Sequence, residues 1–252
     1  MQIKILIENE GTAPFIGEHG LALYLYHNGS EVLLDAGLTG EFLHNAALLG
    51  CPVESVETAV LSHGHLDHAD GFPALFRIND KVKVHARTTA LEPRYNLEMG
   101  RYNGVCDALR EEYADRFVLS DEQQEILPGL WLVPDDVDHE QSLVAETEQG
   151  LVVMNCCCHA GGDRIVADIL ERFPGKKVCA LVGGLHLMGP DGVTTLGPEP
   201  DTVKVLARRL TEELGVDTVY TGHCTGAPAF ALLQEAAPGK IRAIHPGDIL
   251  DF

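Results

Sequence analysis

Apolar and polar positions along this chain follow two periods. Ile3–Ile7, Leu21–Tyr26 and Glu31–Leu34 are short runs rich in Ile, Leu, Val and Tyr and predict strands, with Asn28-Gly29 as the hairpin turn between the second and third. Phe42–Leu49 has helical spacing and stops at Gly50 and Pro52, and Ala59–Leu61 and Val82–His85 predict two further strands. In the second half Leu130–Val133, Ser142–Glu146 and Leu151–Asn155 predict strands. Helix Arg164–Phe173, strand Val178–Val182, helix Thr202–Leu214, strand Val216–Tyr220, helix Ala227–Ala237 and strand Ile241–Ile244 follow. Between the halves, Thr88 to Pro128 is polar and poorly periodic apart from a helix predicted over Asp107–Phe117. That stretch is expected to be an insertion over one edge, a candidate lid at about 88–128. No low-complexity linker interrupts the chain, so residues 1–252 are expected to form one α/β domain of two sheets with helices outside them.

Composition narrows the function. The 252 residues carry 18 basic and 38 acidic side chains, a formal charge of −20. A surface that acidic repels a phosphate backbone and an anionic membrane alike, which excludes nucleic acid and membranes as main partners and leaves a small molecule. No run approaches ~20 apolar residues, and Met1–Ile7 lacks a leader-like apolar stretch. The seven cysteines, three of them consecutive at Cys156, Cys157 and Cys158, suit a reducing compartment, and a cytoplasmic location is expected.

The histidines carry the chemistry. His63-Gly64-His65-Leu66-Asp67-His68 follows the strand Ala59–Leu61 directly. His159, His186 and His223 each follow a different predicted strand of the second half, with a helix soon after. In α/β layers the carboxyl ends of strands are where ligands gather. His63 and His65, two apart on an extended segment, present their rings to one side, and Gly64 allows a tight path between them. Asp67 and His68 are adjacent, so they diverge and can serve two neighbouring metal positions, and two cations ~3.5–4 Å apart bridged by water form a hydrolytic centre.

With the upstream Leu33-Leu34-Asp35-Ala36-Gly37, the His-x-His-x-Asp-His motif resembles the metallo-β-lactamase-fold superfamily of metal-dependent hydrolases. Glu18-His19-Gly20-Leu21, Cys157-Cys158-His159-Ala160-Gly161, Gly183-Gly184-Leu185-His186-Leu187 and Thr221-Gly222-His223-Cys224-Thr225-Gly226 are similar to the branch of dihydropterin-linked ribofuranosyl-aminobenzene phosphate synthases. The resemblance implies a four-layer αββα sandwich of two similar halves with a dinuclear metal centre. It assigns His63, His65 and His159 to one cation and Asp67, His68 and His223 to the other, two divalent ions per chain with Zn²⁺ the default and Fe or Mn the alternatives. Relatives place a bridging carboxylate between the last two histidines. Here that place reads Gly183-Gly184-Leu185-His186, with no acid before Asp191, so His186 either ligates or handles substrate.

The expected activity is hydrolysis of an ester, amide or phosphoester by a metal-bound hydroxide, with Asp67 orienting the water or carrying its proton and His186 as the second catalytic candidate. Two alternatives stand beside it: a condensing synthase acting on a pterin and a phosphorylated sugar, and a non-catalytic metal-binding or thiol-sensing protein using Cys156–Cys158. Di-iron oxygen or nitric oxide reduction, which resembling proteins carry out, normally goes with a flavin-binding partner domain and a carboxylate-richer site, and is not expected of these 252 residues. Asp35 is expected to orient a metal-binding imidazole through its second nitrogen. His19 is expected near the centre and His245 in a turn, while His27, His44, His85 and His139 are expected at the surface or in packing. The three cysteines are expected to pack, with Cys157 bracing the His159 turn. Arg94, Tyr95, Asn96 and Arg101 are candidates for gripping a phosphate or carboxylate.

Overall fold

The computed structural model describes residues 1–97 and 100–252. The chain forms two compact units, Met1–Pro128 with His245–Asp251, and Gly129–Ile244 with Phe252. Both are mixed α/β, and each is built around one large sheet.

The first unit holds a seven-stranded sheet in the order Ile249–Asp251, Gln2–Ile7, Ala22–His27, Ser30–Leu34, Thr58–Val60, Lys83–Ala86, Phe117–Leu119. Its first four strands pair antiparallel and the remaining pairings are parallel. Asn28 and Gly29, at φ 49° and 82°, make the expected tight hairpin, because both turn positions need the left-handed region that Asn and Gly tolerate. The parallel strands need crossovers, and the helices Phe42–Leu48 and Phe72–Ile78 lie on two of them. Phe42, Ala46, Phe72, Leu75 and Phe76 pack into one buried cluster with Leu33, Ala59, Leu61 and Val84 from the sheet.

The second unit repeats the scheme. Leu130–Pro134, Gln141–Thr147 and Gly150–Met154 form an antiparallel meander, and Val178–Val182, Thr218–Thr221 and Ile241–Ala243 add to it in parallel. Val178–Val182 is buried at every position, as a parallel strand covered on both faces must be. Helix Gly162–Arg172 turns Ile165, Val166 and Ile169 inward, where they join Leu181, Leu185, Val219 and Leu233. The helix expected over Thr202–Leu214 runs Pro200–Arg208 and continues through a π-helical turn, Arg209–Glu213.

One element differs from expectation. The helix predicted over Asp107–Phe117 stops at Glu111, because Phe117 opens an edge strand parallel to Lys83–Ala86 and packs edge-on against Phe72 and Phe76. Core burial and ladder bonds outweigh the helical spacing there. The rest of 88–128 contributes a small hairpin, Tyr95–Asn96 with Arg101–Tyr102, and the short strand Gln124–Leu127. Among the described residues, no helix is long and apolar enough to cross a membrane.

Candidate metal centre

Five non-glycine residues among those described have positive φ: Asn28, Asp35, Cys158, His186 and His223. The first is the hairpin turn. The other four all lie just past the carboxyl end of a strand that has a parallel neighbour. Left-handed backbone at non-glycine positions is strained by the order of 1–3 kcal/mol each and clusters where function requires it.

In the first unit the chain leaves Thr58–Val60 and enters the loop that carries the motif. Asp35 is fully buried, and its carboxylate accepts the Ser62 N–H at 2.7 Å and the Ser62 hydroxyl at 2.6 Å. His68 Nδ1, 2.7 Å from Asp35 Oδ2, faces an atom that only accepts, so Nδ1 carries the proton and Nε2 presents a lone pair. The same logic reaches His63. The Ser62 hydroxyl proton is committed to Asp35, so the hydroxyl oxygen accepts from His63 Nδ1 at 2.8 Å and His63 Nε2 is left as an acceptor. One buried carboxylate thus sets the tautomers of two imidazoles, as metal-ligating histidines require.

His63 Nε2 lies 3.0 Å from His65 Nδ1. Two nitrogens each about 2.0–2.1 Å from one tetrahedral cation sit roughly 3.3 Å apart, so this pair fits as neighbours on a metal. The two rings meet edge to face with centroids 4.6 Å apart, the same-side presentation expected of positions two apart. Asp67 and His68 open the short helix Leu66–Ala69 and do not diverge fully: Asp67 Oδ2 is 3.7 Å from His68 Nε2 and 3.3 Å from His19 Nε2. His19, 45% exposed, therefore does approach the motif.

The candidate insertion braces this loop. Leu66 N–H donates to Asn103 C=O at 3.0 Å, His65 forms an isolated bridge with Gly104, and Cys106 N–H donates to Asp70 at 2.8 Å. Burial pushes the Asp70 carboxyl above its ordinary range. A Cβ on Gly64 would lie 2.1 Å from the Ala90 carbonyl oxygen, so glycine is needed there for close approach of the two backbones.

In the second unit three loops are sewn together. Glu140 is buried, and its carboxylate accepts Cys157 N–H at 2.7 Å and His159 N–H at 3.0 Å. Asn155 Oδ1 accepts Cys158 N–H at 2.7 Å, and Gly184 N–H donates to Cys156 C=O at 2.9 Å. Leu185 N–H donates to the Thr225 hydroxyl, and Leu187 N–H to Cys224 C=O. These bonds bring His159, His186 and His223 around Cys157. Ligand atoms of Cys157, His159 and His186 lie within 4.8 Å of one another, as do those of Cys157, His223 and Cys224. Burial alone would raise the Cys224 thiol, but a hydrogen bond with Cys157 and the facing His223 and His186 bring it well below its ordinary range. The hydrogen bond to Cys224 in turn raises His186.

Two contributors escaped the sequence: Glu140, and His139, whose ring centroid is 5.0 Å from that of His159. Their signal is positional, an Asp-His-Glu turn just before Gln141–Thr147, the strand that pairs with the one leading to His159. Cys158 packs in the apolar cluster, its thiol pushed well up by burial, and Cys156 is buried too. His245 lies in a turn closed by Asp248. Arg94 donates to Thr89, and Tyr95 and Arg101 lie exposed on the small hairpin.

The chemistry of the donor set fits divalent cations: imidazoles with oriented lone pairs, a carboxylate and thiols, held on braced loops. Comparison with known proteins agrees. Residues 17–223 match the metallo-beta-lactamase superfamily. The chain is 28% identical over 280 residues to 7,8-dihydropterin-6-methyl-4-(beta-D-ribofuranosyl)-aminobenzene-5'-phosphate synthase of Methanocaldococcus jannaschii, covering 95% of this chain and 92% of that one. Among solved structures it is similar to Tm1679, a metal-dependent hydrolase of the beta-lactamase superfamily, with a TM-score of 0.83 and 28% identity over 100% of this chain and 99% of that one. It also shares its fold with the metallo-beta-lactamase fold protein YhfI from Bacillus subtilis, with a TM-score of 0.65 and 12% identity over 99% and 98% of the two chains.

Proposed function

The chain belongs to the metallo-β-lactamase superfamily, and from that premise we propose that it is a dinuclear metal hydrolase, with zinc as its metal, acting on an ester, amide or phosphoester of a small molecule. The observation that carries this reading is the buried Asp35–Ser62 pair, which leaves His63 and His68 with their lone pairs on Nε2. A purely structural cluster has no need for two imidazoles in one fixed tautomer. The residues proposed to hold the ions are His63, His65, Asp67, His68, His159 and His223. When bound, such ions supply Lewis acidity and lower the pKa of a water toward neutrality. Asp67, with one oxygen turned toward His19 and His68, holds the proton of the attacking water and returns it to the leaving group. His186, exposed at the mouth of its loop, contacts the substrate. Similarity to Tm1679 over the full chain supports the hydrolytic reading.

The similarity to the archaeal synthase favours a second reading, condensation of a dihydropterin with a ribofuranosyl-aminobenzene phosphate. One experiment separates them. Chelator-treated protein, reloaded with Zn²⁺, Mn²⁺ or Fe²⁺, is assayed against a panel of esters, amides and phosphoesters, with product analysis on the pterin pair in parallel. Metal-restored hydrolysis is expected. Condensation without hydrolysis of any panel member would overturn the first reading in favour of the second.

A further inference from the structure

The thiol of Cys157 is placed like a ligand rather than like core filler. Its neighbour Cys158 sits among Val166, Leu181 and Leu185, whereas Cys157, only 3% exposed, has His159 and His186 to one side and His223 and Cys224 to the other. It is the one donor shared by both of those groups. Its position is constructed: Glu140 anchors its N–H, and the left-handed backbone at Cys158 turns the chain so that Cys157 and His159 can both present their donor atoms. Gly184 makes room for the second thiol, since a Cβ there would lie 2.4 Å from Cys224 Sγ. The loop 183–187 contributes no carboxylate, and the two residues grouped with Cys157 on the His159 side, His159 and His186, are both imidazoles.

We propose that Cys157 Sγ is a ligand of the cation that His159 holds, supplying as thiolate a negative charge beside that imidazole. On binding, the S–H bond breaks, its proton goes to solvent, and a metal–sulfur bond of about 2.3 Å forms with Zn²⁺. A thiolate ligand selects Zn²⁺, Fe²⁺ or Co²⁺ over Mg²⁺ and Ca²⁺. This inference rests on the metal-dependent reading above and adds the identity of one ligand to it.

The test is spectroscopic and independent of turnover. The full chain is stripped of metal and titrated with Co²⁺. A near-ultraviolet sulfur-to-cobalt charge-transfer band is expected, unchanged in Cys51→Ser, a thiol of the first unit's apolar core, and lost in Cys157→Ser. X-ray absorption at the zinc edge of the wild-type protein, which needs no variant, is expected to show a sulfur scatterer at about 2.3 Å. Cobalt bound without the band, or a band that survives Cys157→Ser, overturns the proposal while leaving the metal-dependent hydrolase standing. Failure to bind Co²⁺ or Zn²⁺ at all overturns both.

Discussion

His68 Nδ1 and Asp35 Oδ2 lie 2.7 Å apart, and solvent reaches neither side chain. A carboxylate buried this completely must be satisfied on the spot, and Asp35 is: it accepts two bonds from Ser62 and one from His68. The direction of the third bond leaves His68 Nε2 free of its proton. Asp35→Asn would set an amide NH₂ against Nδ1–H and favour the opposite tautomer. Metal affinity is expected to fall about 10–100-fold, the usual effect of losing a partner that orients a ligand. Competition with a chromophoric chelator measures it, and an unchanged affinity would reduce Asp35 to a packing role.

His65 is the cleaner test of the first unit's metal set. Its Nδ1 faces His63 Nε2 at 3.0 Å, and the ring is half-buried, so its removal opens little cavity. His65→Ala is expected to drop bound metal below two ions per chain. Activity should fall by more than the ~10–100-fold expected of a residue that only orients a ligand. Elemental analysis of the purified variant decides. Two ions retained would remove His65 from the ligand set.

Glycines separate space from conformation. A Cβ at Gly64 meets backbone, the Ala90 carbonyl oxygen at 2.1 Å, which cannot rotate away. Gly50 also has positive φ, 64°, but a Cβ there meets nothing within 4 Å. Gly50→Ala is therefore expected to cost about 1–2 kcal/mol, the penalty of a left-handed alanine. Gly64→Ala is expected to cost at least about 1–3 kcal/mol through displaced backbone, and to disturb metal binding as well, which Gly50→Ala leaves intact. Thermal melts and metal titrations of the two variants distinguish the effects.

How much of this was legible in the chain depends on whether the signal was local. The motif at His63–His68 is contiguous, and the strands before His159 and His186 have unbroken apolar runs, so the candidate site's position at strand ends could be read directly. The helix expected over Asp107–Phe117 failed because Phe117 answers to Phe72, Phe76 and Lys83–Ala86, partners more than 30 positions away. The strand Ile249–Asp251 is three residues long and largely exposed, so nothing in its pattern announces that it pairs with Gln2–Ile7. Asp35 could be suspected from its strand-end position. Its choice of His68 over the other imidazoles depends on where the loop folds back, which no spacing encodes. Glu140 and His139 were invisible for the same reason: only the hairpin register places them beside Cys157 and His159.

Glu140 gives the sharpest check on that hidden contribution. Its two carboxylate oxygens accept the backbone N–H groups of Cys157 and His159, and the group is 1% exposed. Glu140→Ala orphans both donors, Cys157 N–H in the buried interior and His159 N–H at its margin. Each is expected to cost about 1–3 kcal/mol. Glu140→Gln keeps an acceptor oxygen for one donor but turns its NH₂ toward the other, so its loss is expected to be smaller and never zero. If the carboxylate only stabilises the fold, both variants lower the urea midpoint while the fully folded protein binds metal normally. Its grip on the residues either side of Cys158 predicts more: weaker metal binding in Glu140→Gln under conditions where circular dichroism shows the fold intact. Wild-type metal affinity in that folded variant would show that the 157–159 turn holds its ligands without Glu140.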